Sequence, residues 1–294
     1  MREITKTVLG FLVGFILVMV LSAFLAPWLA TFLPFKFDRI LRRCIMIGTL
    51  LLVARLIWAR RKETWGRFGL AWNTERGRLL IAGFLAGVVL IGGMSLLQWA
   101  LGVRFFQLYE SDLWHWIGLV FKGLGAGVLI GILEELFFRG FLFVTVKDFW
   151  STPVSLVVTN VIYAQTHFFP KEKVFIAGEP TFYDSFRIYA KMFPPPWETP
   201  ERFLALLGLF FFGLILSFVF LRAGSLFPAM GIHAGAVFSL KLSRRFIPEM
   251  SDKMGILSGT KNLYDGIAGL AVLVALSLVA GWRFRFSEEK YASR

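Results

Sequence analysis

Cysteine and charge are both scarce in this chain of 294 residues. The one cysteine, Cys44, lies in an apolar stretch, so an intrachain disulfide and a cysteine-rich zinc site are both excluded. Only 17% of the residues are charged, whereas 57% are hydrophobic and 17% are aromatic. A soluble domain averages about 45–50% apolar residues. The composition therefore argues against a soluble domain and predicts a polytopic membrane protein.

The charges that are present are mostly basic, with a formal net charge of +13. Lysine and arginine are spread over many short loops, which is typical of residues that flank membrane spans and meet anionic headgroups. This spread argues against a nucleic-acid partner, because nucleic-acid binding needs a clustered basic patch. The two sets of loops carry nearly balanced positive charge, so the positive-inside rule selects no orientation. We expect an integral, multi-pass protein of the cell membrane, or of an endomembrane in a eukaryote.

Apolar runs of the length that a membrane span needs, about 17–25 residues, recur along the chain with charged breaks between them. The first is much longer than the core of about 7–15 residues in a signal peptide, so we interpret it as a retained span. The fold class predicted is all-α: a polytopic membrane helix bundle of about eight transmembrane helices in a single membrane domain, 1–294. The eight predicted segments are 7–33, 44–59, 79–103, 113–146, 153–169, 203–221, 226–242 and 264–282.

Two further features belong to connections and packing. The connection 170–202 is too long for an ordinary loop and is rich in aromatic residues, which predicts a segment on the membrane surface or over a site. Gly213 and Ser217 form a small-xxx-small pair, a pattern that indicates close helix packing more often than function.

Three charged residues stand together in the fourth apolar run. Glu135 and Arg139 are four residues apart, so on a helix they share a face and can form an ion pair. Glu134 is rotated by about 100° from Glu135 and is less well placed for Arg139. A charged side chain near the bilayer centre costs about 2.5–3.5 kcal/mol. A buried salt bridge accounts for Glu135, whereas Glu134 is better explained as a general base.

Two of the three histidines also lie in apolar segments. His167 follows Tyr163 by one helical turn and Asn160 by two, so the three fall on roughly one face. His233 follows Gly231, a residue that lets another helix approach closely. Either histidine alone would be interpreted as a core or interfacial residue. Two of them beside an intramembrane glutamate pair favour hydrolase or metal-site chemistry instead.

Taken in order, the three motifs resemble the CAAX protease and bacteriocin-processing family of membrane proteases, which includes the type II CAAX prenyl endopeptidases. They are Glu-Glu-x-x-x-Arg from Glu134, an aromatic-x-x-x-His from Tyr163, and Gly-Ser-Leu-Phe-Pro-Ala-Met-Gly-Ile-His ending at His233. The resemblance covers a motif-bearing protease core, about 131–237, and implies eight helices. It also implies an endopeptidase that acts near the C-terminus of a prenylated or other membrane-bound substrate. The expected partners are therefore that substrate and the lipid bilayer.

Carried over residue by residue, the resemblance implies three catalytic residues. Glu134 would activate the attacking water, His167 would help to hold or deprotonate it, and His233 would stabilise the developing oxyanion. Four further positions are expected to be structural or supporting: Glu135, Arg139, Tyr163 and Asn160.

One position departs from the pattern. The family commonly has asparagine or aspartate four residues after the last histidine, on the same helical face, and this chain has Val237. Valine offers no hydrogen-bond donor, and removal of one oxyanion donor typically costs about 10²–10³ in rate. Efficient catalysis would then need a substitute donor from Tyr163, Asn160, Ser217 or the backbone.

Cofactor use and overall role each leave alternatives. The resemblance favours a metal-free, glutamate-activated water and thus no cofactor, although one glutamate and two histidines could also bind zinc.

The first alternative function is a catalytically weak family member that acts as an immunity or scaffold membrane protein, which Val237 favours. The second is a transporter with buried charges along its pathway. The runs 7–33, 79–103 and 203–221 lack charged residues, which argues against a long polar conduit.

Overall fold

The computed structural model describes residues 2–59, 66–107, 112–168, 176, 178–191, 195, 198–246, 255–259 and 262–292. Across these residues the regular elements are all helices, which confirms the predicted all-α class. We number ten helices, in chain order: α1 Arg2–Ala30, α2 Phe37–Ala59, α3 Thr74–Ala100, α4 Leu113–Lys147, α5 Thr152–Thr166, α6 Phe182–Ala190, α7 Pro200–Ala223, α8 Phe227–Phe246, α9 Gly255–Ser258 and α10 Ile267–Ala292.

The long apolar helices indicate an integral, multi-pass membrane protein, but the predicted count of eight spans is not confirmed. Within the described residues, four helical stretches are long and apolar enough to cross a membrane: Leu9–Ala30, Thr74–Ala100, Leu113–Lys147 and Pro200–Ala223. The apolar part of α10, Ile267–Arg283, is shorter. The other three predicted segments do form helices, but α5 has only 15 residues and α2 and α8 carry several charged residues each.

The chain divides into two compact units, Met1–Thr64 with Gln165–Pro195 and Trp65–Ala164 with Pro196–Arg294. The prediction of one domain over 1–294 stays a prediction. In the first unit, α1 and α2 form an antiparallel hairpin, since Gly14 faces Leu52 and Gly48 faces Val18. Helix α6 packs on this hairpin and adds Ile188 to its buried core, whose other members are Ala26, Phe37, Ile40 and Leu41.

The predicted surface or capping segment, 170–202, contains α6. The structure describes it only in part, so the aromatic residues Phe175 and Phe193 lie outside the described residues.

In the second unit, α8 lies in close contact with both α3 and α4. Glycines on all three helices allow this approach, because a Cβ at these positions would collide with the backbone of the facing helix. A Cβ on Gly131 of α4, for example, would lie 2.9 Å from Met230 O of α8. The other positions are Gly83, Gly87, Gly127, Gly231 and Gly235. These contacts hold α8 against the segment of α4 that carries the glutamates.

Helix α4 changes its hydrogen-bonding pattern at the motif. It is α-helical over Leu113–Glu135, π-helical over Leu136–Phe143 and α-helical again over Val144–Lys147. π-Helical turns inside α-helices are frequent at functional sites.

Candidate active site

The centre of the candidate site is a buried ion pair on α4. Arg139 Nη1 donates to Glu135 Oε1 at 2.8 Å. The side chains of Glu135 and Arg139 are 0% and 1% exposed, so bulk water solvates neither charged group. A buried charge of this kind is tolerated only when it is paired and hydrogen-bonded.

The second nitrogen of the guanidinium ties α4 to two further helices. Arg139 Nη2 donates to Asn160 Oδ1 on α5 at 3.3 Å and to the backbone oxygen of Gly213 on α7 at 3.0 Å. The Tyr163 ring lies against the same guanidinium, with Cζ 4.5 Å from the ring centroid. Arg139 therefore connects three helices through charge-assisted hydrogen bonds and a cation–π contact.

Gly213 is needed at this point of α7 for steric reasons. A Cβ there would lie 3.0 Å from Tyr163 Cδ1 and 3.1 Å from Arg139 Nη2, and it would collide with Asn160 Oδ1. Its backbone oxygen also accepts a hydrogen bond from Ser217 Oγ at 3.0 Å. The small-xxx-small pair thus takes part in the polar network, beyond the packing role that its spacing indicated.

Helix α8 brings His233 into the same cluster. Its Nδ1 lies 2.8 Å from Glu135 Oε1, and its Nε2 lies 3.8 Å from Glu134 Oε2. The ring is almost fully buried, and the Phe212 ring meets it edge-on with 5.6 Å between centroids. Glu135 Oε1 therefore faces both the arginine and the histidine, and the imidazole lies between two carboxylates.

The two neighbouring carboxylates differ in environment. Glu135 is completely buried and is held by Arg139, whereas the Glu134 side chain is 29% exposed. The exposed part of Glu134 does not include Oε2, the oxygen that faces His233, because that atom is buried. A carboxyl group this close to an imidazole is suitably placed to exchange protons with it. Of the two, Glu134 is the carboxylate whose surroundings suit proton transfer.

Asn160 and Ser217 use their polar hydrogens within the network. Asn160 Nδ2 donates to Leu156 O at 2.8 Å and to Ser217 Oγ at 3.1 Å, while Ser217 Oγ donates to Gly213 O. Both residues were possible replacements for the donor that Val237 lacks. Their hydrogens already have acceptors, so neither is well placed to take that role without rearrangement.

Val237 and His167 belong to different units of the chain. Val237 is on α8, one turn after His233, and is half-buried. His167 comes directly after the last residue of α5, and its side chain is exposed. The catalytic role predicted for His167 stays a prediction.

Sequence reasoning missed two participants. The backbone oxygen of Gly213 accepts from Arg139, and Phe212 packs against His233. The sequence marks Gly213 only as a small residue, and Phe212 lies in a run of three phenylalanines that resembles any lipid-facing or core segment. Among the described residues, no group of three or more histidine, cysteine, aspartate or glutamate side chains could hold a metal ion.

Residues 115–239 match the family model described as type II CAAX prenyl endopeptidase Rce1-like. The matched range contains all the motif residues from Glu134 to Val237, and the resemblance inferred from those motifs is thereby confirmed. No match was found among curated proteins or among solved structures.

Proposed function

Since residues 115–239 form a domain of the Rce1-like type II CAAX prenyl endopeptidase family, we propose that this protein is an intramembrane endopeptidase. Its substrate would be a prenylated (CAAX-type) protein or another membrane-bound peptide, cleaved near its C-terminus. The observation that carries the proposal is the placement of His233 between Glu135, which is locked to Arg139, and the partly exposed Glu134.

In the proposed reaction Glu134 is the general base. Its carboxylate takes a proton from water, and the water oxygen adds to the carbonyl carbon of the scissile peptide bond. The proton then passes from Glu134 to the departing nitrogen as the C–N bond breaks, which yields a carboxylic acid and an amine; the acid proton then moves to the amine. His167 is proposed to help hold the water before attack.

His233 is proposed to stabilise the oxyanion through Nε2. Glu135 Oε1, 2.8 Å from Nδ1, accepts a hydrogen bond from that nitrogen and so fixes the ring orientation. As an imidazolium, His233 would donate Nδ1–H to Glu135 and Nε2–H to the negative charge that develops on the substrate oxygen. A donor held in place before the reaction is worth more than one that must first reorient.

A cleavage assay tests this proposal directly. The purified protein in lipid nanodiscs would be incubated with a farnesylated peptide that ends in a CAAX sequence, and mass spectrometry would detect the released C-terminal fragment. Glu134→Gln keeps the size of the side chain but removes the base, so cleavage should fall to background. The matched control is Glu201→Gln, since Glu201 is an exposed residue in the first turn of α7, and it should retain wild-type turnover. Normal turnover by a folded Glu134→Gln protein would contradict the assignment.

Val237 keeps one alternative open, a catalytically weak family member that acts as an immunity or scaffold protein. The alternative predicts that the wild type binds the peptide without cleaving it. Binding would then be unchanged in Glu134→Gln, and no cleaved fragment would form with either protein.

A further inference from the structure

The turn that precedes α10 is held by another buried cation. Arg104 follows α3 and is 1% exposed. Its Nη2 donates to Ser258 O at 2.5 Å, and its Nε donates to Gln98 Oε1. Gln98 is also 1% exposed, and its Nε2 donates to Leu263 O at 3.1 Å. The end of α3 is therefore fastened, by buried and charge-assisted hydrogen bonds, to two points of the chain that leads into α10.

The backbone of Leu263 is strained at the point where Gln98 holds it. Its φ is 69°, in the left-handed region, and no other non-glycine residue in the described ranges has a positive φ. Its side chain is 0% exposed in the core of the second unit, and a Cβ on Gly269 would collide with its carbonyl oxygen. Strain of this kind persists only where the surroundings impose it, and it is concentrated at functional sites. The residue whose position this turn determines is the next one, Tyr264.

Tyr264 packs beside the candidate active site. Its backbone oxygen lies so close to α7 that a Cβ on Gly208 would collide with it. One turn further along α7, Phe212 meets the His233 ring edge-on. Tyr264 and Phe212 pack against the same buried core, and Ala236 of α8 is a member of that core. The turn thus holds Tyr264 near the helix that carries His233.

The Tyr264 hydroxyl lies within electrostatic reach of the glutamate motif. The charged groups that act on it are Asp265, Arg244 and Glu134. Glu134 lies beside His233, whereas Arg244 is about three turns further along α8, roughly 16 Å at a rise of about 1.5 Å per residue. Because an electrostatic interaction weakens with distance, a group that both charges influence lies between these two levels. Val237 is in this interval of α8, one turn after His233.

The hydrogen of this hydroxyl is available, unlike those of Asn160 and Ser217. Within the described ranges no hydrogen bond uses the Tyr264 hydroxyl, and the residue is half-buried. A phenol is a hydrogen-bond donor, and a donor fixed before the reaction can stabilise negative charge that develops on the substrate.

We propose that Tyr264 is a further catalytic residue, whose hydroxyl donates to the oxyanion on the side of His233 where Val237 offers no donor. The hydrogen bond strengthens as negative charge develops on the carbonyl oxygen, and no proton is transferred. Arg104 and Gln98 are positioning residues, because they hold the strained turn that presents Tyr264. This inference rests on the proposed endopeptidase function.

Tyr264→Phe tests the proposal, because it keeps the ring and its packing and removes the donor alone. With the farnesylated CAAX peptide and protein in lipid nanodiscs, kcat should fall by roughly 10²-fold with little change in KM, since the donor acts on the transition state. Tyr189→Phe is the matched control. It removes a hydroxyl that donates to Met19 O in the first unit, so it should retain wild-type kcat. Melting temperatures close to that of the wild type would show that both variants are folded.

A second measurement separates a catalytic role from a structural one. Val237→Asn should raise kcat by a larger factor in the Tyr264→Phe background than in the wild type, because the new amide then replaces a missing donor. Equal factors in the two backgrounds, or wild-type kcat in a folded Tyr264→Phe protein, would overturn this inference while leaving the endopeptidase function intact. Absence of cleavage by the wild type would overturn the proposed function, and this inference with it.

Discussion

Arg139→Ala is expected to destabilise the protein more than any other single change in the candidate site. The substitution removes the partner of a carboxylate that is 0% exposed and leaves Glu135 beside His233 alone. It also removes the hydrogen bonds that Arg139 donates to Asn160 Oδ1 on α5 and to Gly213 O on α7, two buried acceptors. Three helices lose their shared connection at once.

The size of the effect follows from the burial. Breaking one half of a buried ion pair typically costs about 3–5 kcal/mol. For a domain of about 150–250 residues, 1 kcal/mol shifts the melting temperature by about 2–4 °C. Together these values predict a fall of roughly 6–20 °C for Arg139→Ala. Glu134→Gln should shift the melting temperature far less, because Glu134 is partly exposed and Glu135 is the carboxylate that pairs with Arg139.

The measurement is thermal unfolding of the purified protein in one detergent, followed by tryptophan fluorescence. Arg202→Ala is the matched control, because Arg202 pairs with Glu198 at the same four-residue spacing, yet its side chain is 30% exposed and that of Glu198 is 51% exposed. An exposed pair contributes about 0–1 kcal/mol, so this variant should melt close to the wild type. Equal melting temperatures for Arg139→Ala, Arg202→Ala and Glu134→Gln would refute the reasoning.

Three other predictions follow from the same network. Val237→Asn should raise kcat by up to about 10²-fold, the contribution of one oxyanion donor, with little change in KM. An unchanged or lower kcat in a folded variant would show that another donor already stabilises the oxyanion. Gly213→Ala should destabilise the folded protein by about 1–3 kcal/mol, because the added Cβ overpacks a filled site. Gly93→Ala should not, because nothing lies within 4 Å of its added Cβ. Comparable melting temperatures for the two variants would count against the packing argument. Cleavage should persist after chelation and dialysis, and activity that is lost on chelation and restored by stoichiometric zinc would show a metal-dependent site.

The helices were predictable from the sequence, but their status as spans was less so. Long apolar runs without interior charge, such as those of α1, α3 and α7, indicate membrane helices by length and composition alone. Helix α8 illustrates the difficulty, because Lys241, Arg244 and Arg245 follow an apolar first half that packs between α3 and α4. Hydropathy measures average preference for lipid, whereas a helix surrounded by other helices can be short or charged.

Local spacing predicted contacts within one helix better than contacts between helices. The pairing of Glu135 with Arg139 follows from a four-residue separation. The hydrogen bonds from Arg139 to Asn160 and Gly213 join residues 21 and 74 positions apart, and no periodicity encodes such a distance. The contact of His233 Nδ1 with Glu135 likewise depends on how closely α8 approaches α4, which Gly127 and Gly131 of α4 allow.

Adjacent carboxylates have different surroundings here because one of them, Glu135, is paired with a buried cation. Arg139 and His233 both contact the same Glu135 oxygen, so that carboxylate is fixed and shielded. The side chain of Glu134, one residue away on the helix, is 29% exposed, and its Oε2 lies 3.8 Å from His233 Nε2. Paired acidic groups in unlike environments are a general way to separate a structural carboxylate from a reactive one. Arg139 would therefore affect proton transfer without touching the substrate, by holding Glu135 and so leaving the catalytic position to Glu134.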